Sequence, residues 1–333
     1  MTSIAQDAID PTTIWRTTIT PFGLRIKLGY DDRRFGAASR RIASLPVVGP
    51  FGSVAGPRVL SITARSLTGD RADDAASEPT GEPTGDGDPA WPETSVRQWE
   101  GGLELRCGSG RLTADLAAGT ASIALPPSLL AIEDAVRCFV EGAISTLAMG
   151  TGRMHAVHSG LVVGRRKGLL LRGPSGAGKS TLSYACVRSG LRLVSDDWVY
   201  GAAGGTADRF AGYPWRVFLV AESAARFPEL AGIAPVPHPG ADRLKVPVHP
   251  PVHQRRRAAE VDAVVFLDPD PALSLTGIGP AESLERFWGA ALPSERAQLP
   301  PAWVDRLLDR PCYVLRRGTD PMAAAAFLRQ LAS

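Results

Sequence analysis

Cysteine is scarce and scattered: Cys107, Cys138, Cys186 and Cys312 are the four in 333 residues, and no two form a C-x-x-C pair. That spacing supports neither a disulfide framework nor a zinc site, and it fits a reducing compartment. No apolar run approaches the ~18 residues needed to cross a bilayer, so no membrane partner is expected. The first ten residues hold no basic patch followed by an apolar stretch, so no secretory signal is expected and the cytoplasm is the default location. Excess charge of one sign is lacking too. The 37 Lys and Arg residues stand against 34 Asp and Glu, a balance of +3. No basic stripe with interleaved aromatics occurs, which argues against nucleic acid as a partner. What remains is a globular composition, 44% hydrophobic and 21% charged, in a chain long enough for two domains.

The clearest seam runs over 69–94, where Asp70, Asp73, Asp74, Glu78, Glu82, Asp86, Asp88 and Glu93 alternate with Gly, Pro, Ala and Thr. Such a stretch buries too little surface to fold alone. It is expected to be a disordered acidic insertion, either a solvated loop or a docking segment for a basic partner. Around it, period-two alternation predicts strands at Ile14–Ile19, Leu24–Leu28, Val59–Ile62, Leu103–Cys107 and Thr120–Leu125, forming a small antiparallel sheet with one wet face. Leu129, Ile132, Val136, Phe139, Val140, Ala143, Ile144 and Leu147 then share one helical face, predicting a long helix that joins two halves. Beyond it, apolar runs at Gly160–Val163, Gly168–Leu171, Leu191–Ser195, Val261–Leu267 and Cys312–Leu315 alternate with helical patterns at Ala281–Ala291 and Met322–Leu331, the signature of an α/β domain. The expected organisation is a β-rich domain over 1–127, a connecting helix over 128–152 and an α/β domain over 153–333.

The run Gly173-Pro174-Ser175-Gly176-Ala177-Gly178-Lys179-Ser180-Thr181 follows one apolar strand pattern and opens a helical one. Its glycines let successive amides curl inward, and the helix terminus adds partial positive charge, which together make a cradle for phosphates. Lys179 would reach the β and γ phosphates, and the Ser180 hydroxyl would hold Mg²⁺. ATP or GTP is the expected ligand, and the absence of an N-K-x-D tetrapeptide disfavours GTP.

Phosphoryl transfer also needs a carboxylate for the metal, an acceptor for the hydroxyl proton and further cations. The strand pattern Leu191–Ser195 ends in Asp196-Asp197, and laying it beside the strand of the loop would bring both acids to the Mg²⁺. Adjacent strand residues face opposite ways, so one Asp can serve the metal while the other faces the acceptor. The metal is assigned to Ser180 and Asp197, with the exchange of roles between the two acids left open. Asp268 and Asp270 end a second strand and compete, although Asp268 beside Pro269 reads better as a turn residue. His155 and His158 precede the strand of the loop, and His158 is the candidate for a role near the acceptor. Lys245 and Arg255-Arg256-Arg257 are the late cations, the Arg run reading as a solvated loop. Tyr213-Pro214-Trp215-Arg216-Val217-Phe218 is either core at a sheet edge or part of an acceptor pocket.

Taken together, His158-Ser159-Gly160, Gly173 to Thr181, and Ser189 to Asp197 resemble the catalytic domain of HPr kinase/phosphorylase. They are closer still to the smaller HPr-kinase-related kinases, some encoded with peptide-tailoring enzymes such as those for lasso peptides. The resemblance spans roughly 150–330. It implies a P-loop kinase domain of the HPr kinase/phosphoenolpyruvate carboxykinase type, preceded by a smaller, mainly antiparallel β domain. It also implies ATP and Mg²⁺ as cofactors, with Gly173, Ser175, Gly176, Ala177, Gly178, Lys179, Ser180, Thr181 and Lys245 around the nucleotide. Asp196, Asp197, His158 and Lys179 would carry catalysis on a Ser or Thr hydroxyl of a peptide or small protein. Where HPr kinases carry an E-x-R-G segment, this chain has Phe210 to Arg216, which argues against HPr itself as acceptor. A kinase of free serine or a sugar, a nucleotide-binding module that transfers nothing, and a homo-oligomeric assembly stay open.

Overall fold

The computed structural model describes residues 15–19, 21, 24–42, 60–67, 94–99, 101–204, 207–236 and 244–333. They form a mixed α/β chain with several sheets, divided into two compact units, the first ending at Thr151 and the second resuming at Gly152.

The first unit contains β1 (Trp15–Ile19), β2 (Ile26–Tyr30), α1 (Arg33–Ile42), β3 (Leu60–Ser66), β4 (Thr94–Trp99), β5 (Gly102–Cys107), β6 (Gly110–Asp115), β7 (Thr120–Leu125), α2 (Pro127–Leu130) and α3 (Glu133–Gly150). Its strands lie in the order β1-β2-β3-β7-β6-β5-β4. Leu112, Ala114, Ala121, Ile123 and Leu125 are buried while their neighbours along β6 and β7 are more exposed, so one face of the sheet is apolar. The sheet is mixed rather than wholly antiparallel, because β3 pairs parallel with both β2 and β7. Parallel neighbours need a crossover, and α1 lies between β2 and β3 in the chain. Period-two alternation is the same in both pairings and cannot distinguish them. The helix expected over 128–152 is interrupted, since Ile132 is extended (φ −102°, ψ 102°) between α2 and α3. With Val136, Phe139, Val140, Ala143, Ile144 and Leu147 buried, α3 packs on β6, β7 and α1. The acidic segment at 69–94 lies outside the described residues except for Thr94, as do Ile14 and Val59 of the expected strands.

The second unit begins with β8 (Met154–His158), β9 (Gly160–Val163), β10 (Gly168–Arg172), α4 (Lys179–Arg188), β11 (Arg192–Ser195), β12 (Trp198–Ala202), β13 (Arg209–Gly212), β14 (Val217–Val220) and α5 (Ala221–Ala224). It continues with β15 (Lys245–Val248), β16 (Ala258–Glu260), β17 (Ala263–Asp268), β18 (Leu273–Ile278), α6 (Pro280–Gly289), α7 (Pro293–Gln298), α8 (Pro301–Leu308), β19 (Cys312–Arg317) and α9 (Pro321–Leu331). The main sheet runs β11-β9-β10-β17-β19-β18, beside a sheet β16-β13-β12-β8 and a ribbon β14-β15. β10 is buried along its whole length, as a strand covered on both faces must be. Leu169 and Leu171 join Leu182, Ala185 and Cys186 of α4 and Ala324 and Leu328 of α9 in one cluster. Leu170 joins Val264, Phe266, Phe287 and Trp303 in another. The same alternation sends Arg172, the last residue of β10, toward the Leu170 side.

Candidate active site

β10 passes through Gly173 to Gly178 into α4, which starts at Lys179. Gly176 (φ +82°) and Gly178 (φ +92°) occupy the left-handed region, so the curl of the loop requires glycine at both. No side chain caps α4 at Gly178, which leaves the amides of its first turn for an anion. The Lys179 ammonium donates to the carbonyls of Gly173 (2.8 Å) and Pro174 (3.1 Å). Burial pulls its pKa down to about 8, with the charge of Asp197 opposing the shift. The Thr181 hydroxyl donates to that of Ser223 at 2.9 Å.

Asp196 and Asp197 fill the joint between β11 and β12. β11 does not lie beside β10, as the sequence pattern suggested. β9 stands between them, antiparallel to both. β11 is therefore still parallel to β10, and it delivers the joint to the edge of the sheet where the loop lies. There the two side chains part. Asp196 is buried, and its Oδ2 accepts from the Phe218 amide at 3.3 Å. Ser180 lies near it. Burial, then the adjacent Asp197, push its pKa up to about 7 against the Phe218 hydrogen bond, the nearby Ser180 and the charge of Lys245. Lys245 opens β15, opposite Val220 of β14. Asp197, with 57% of its side chain exposed, has Oδ1 3.2 Å from His158 Nε2. Strand register explains the contact: Trp198 pairs with His158 across β12 and β8, so the residue before Trp198 leaves its strand alongside the imidazole. The Trp198 ring itself lies 5.4 Å from the His158 ring.

Two residues absent from the sequence expectation hold this frame. Arg172 and Glu295 form an ion pair at 2.7 Å with side-chain exposures of 0% and 1%. Arg172 also donates to the carbonyls of His158 and Phe287, both at 3.1 Å, and its guanidinium lies 4.1 Å from the centre of the Phe287 ring. Glu295 accepts from the His158 amide (2.9 Å) and the Leu292 amide (2.8 Å). The backbone of His158 is thus clasped by an ion pair rooted one residue before the Gly173–Gly178 loop. An arginine closing an otherwise apolar strand was the one available signal. Glu295, distant in sequence, gave none.

The other candidates fall elsewhere. His155 packs edge-on against Trp303 at 5.0 Å, and burial lowers its pKa, a core role. Asp270 pairs with Arg316 (3.8 Å) and accepts from the Ala272 amide (2.8 Å). Arg256 and Arg257 are exposed. Tyr213 packs on Tyr200 at 5.5 Å, and the Arg216 guanidinium lies 4.3 Å from the centre of the Phe218 ring. No helix among the described residues is long and apolar enough to cross a membrane. Nor do they contain a cluster of three or more His, Cys, Asp or Glu residues suited to a metal. Ser180 and Asp196 do present two neighbouring hard oxygen donors, and a buried acid beside a like charge is one that a divalent cation would relieve.

No protein-family model matches the chain, and no curated protein matches it. Among solved structures, the Hpr(Ser) kinase/phosphatase from Coxiella burnetii aligns with a TM-score of 0.29 at 15% identity, over 53% of this chain and 95% of that one.

Proposed function

We propose that the second unit is an ATP-dependent kinase that transfers the γ-phosphoryl group to a Ser or Thr hydroxyl of a peptide or small protein. The observation that carries this reading is the separation of the two acids, Asp196 buried near Ser180 and Asp197 open to solvent on His158. The absence of N-K-x-D favours ATP over GTP, and the hydroxyl acceptor comes from the resemblance of the motifs to HPr-kinase-related kinases. In this scheme the loop amides and the α4 terminus bind the triphosphate, and Lys179 supplies a cation at its β and γ oxygens. The acceptor oxygen attacks the γ phosphorus in line and passes its proton to Asp197. The bond to the β-bridging oxygen breaks, and ADP leaves with the electron pair. His158 orients the Asp197 carboxylate through the 3.2 Å contact. Ser180 and Asp196 would hold Mg²⁺, which supplies charge neutralisation at the phosphate oxygens when bound. The nearness of buried Asp196 to Ser180 favours it over Asp197, the metal ligand expected from sequence.

The test is incubation with γ-labelled ATP, Mg²⁺ and a panel of Ser- and Thr-containing peptides, free serine and sugars. Label on peptide hydroxyls is expected. Label recovered only as inorganic phosphate, or only on small molecules, would overturn the reading.

A further inference from the structure

β10, β17 and β19 run parallel, so all three end at the edge of the sheet where the phosphate loop lies. The last residue of β19 is Arg317, and its side chain lies against the loop. A Cβ built on Gly178 would stand 3.3 Å from Arg317 Nε and 3.5 Å from its Cδ and Cζ. Glycine at 178 therefore does two things: it accepts φ +92°, and it leaves room for this arginine. The backbone that follows is anchored, with the Gly318 amide donating to the Asp270 carbonyl (3.1 Å) and Arg226 donating to the Thr319 carbonyl (2.6 Å).

Arg317 Nε is enclosed and has no hydrogen-bond partner among the described residues. The next arginine on the strand, Arg316, is paired with Asp270 instead. An enclosed guanidinium donor with no acceptor is costly, and arginine cannot escape the cost by losing its proton. We infer that Arg317 is a phosphate-binding residue of the nucleotide site, donating to the phosphate oxygens that are not transferred, beside the turn at Gly178. The inference rests on the nucleotide reading above. Arginine suits the task because its planar fork makes charge-assisted, bidentate bonds to phosphate.

Calorimetric titration of the full chain with ATP, ADP and inorganic tripolyphosphate, each with Mg²⁺, tests this on Arg317→Met and Arg317→Lys. The Met variant should weaken all three ligands by a common factor of about 10 to 100, the loss expected when charge-assisted bonds are removed. The Lys variant should show a smaller common loss, and it carries the test if the Met variant unfolds when heated without ligand below the wild-type temperature. Unchanged affinities overturn the inference. So does a loss confined to ATP and ADP, because it would mean that the guanidinium stacks on the base. A wild-type chain that binds none of the three overturns the nucleotide reading itself, and a chain that binds all three equally with and without Arg317 overturns only this inference.

Discussion

Asp196 and Asp197 are neighbours in sequence with opposite surroundings, and the difference is measurable in the ligand-free protein. Burial and the adjacent carboxylate raise Asp196 from 3.8 to about 7, so the folded state holds its proton more tightly than the unfolded chain does. For a group shifted upward in this way, the penalty is absent below the ordinary carboxylate range, grows as pH rises, and is complete above the folded-state value. Asp196→Asn should therefore unfold at the same temperature as wild type near pH 2.5 and at a higher temperature above about pH 7. A difference that does not change with pH contradicts the burial of this acid. His158 acts one bond further out. With its imidazole removed, Asp197 keeps its chemistry and loses its orientation. His158→Ala should thus lower kcat by about 10- to 100-fold with KM for ATP unchanged, the range of a weakened proton-transfer step. A rise in KM alone would place His158 in substrate binding instead.

At the scale of elements, β8, β10 and α7 are tied by Arg172 and Glu295. Removing one partner leaves the other buried and uncompensated, so Glu295→Ala should cost about 3–5 kcal/mol in urea unfolding. The double variant Arg172→Met with Glu295→Leu removes both charges and should cost less than Glu295→Ala alone, whereas equal or larger losses would mean that the pair acts through volume rather than charge. The elements also show what a sequence carries. The turn from Gly173 to Gly178 into α4 was legible because its glycines act locally, between a strand and the helix they open. The strands of the first unit were largely legible from alternation, but β4, β6 and α1 were not anticipated, and the parallel pairing of β3 leaves no mark on a period of two. β9 was expected as a strand at Gly160–Val163, but its place between β10 and β11 was not, because nothing in residues 160–163 says which strands they will pair with.

Over the whole molecule, the acids, the loop, His158 and Lys245 come together from segments spread between residues 158 and 245, and the sequence named each of them. The residues it missed, Arg172 and Glu295, act through tertiary neighbours, and Phe218, named only within a run read as core or pocket, acts through its backbone amide, which no local pattern records. Because the site is assembled by folding, ligand binding should feed back on stability. Mg²⁺ and ATP at about 100 times Kd would add about 2.7 kcal/mol, raising the unfolding temperature of the second unit by roughly 5–10 °C. Lys179→Ala should abolish the shift, and a shift that survives it would move nucleotide binding away from the loop. The most direct test of the catalytic account is label transfer from γ-labelled ATP by wild type and Asp197→Asn, with nucleotide affinity measured on the same samples. The account predicts that transfer falls by about 100-fold or more while Kd stays within roughly twofold. Equal transfer by the two proteins would contradict it.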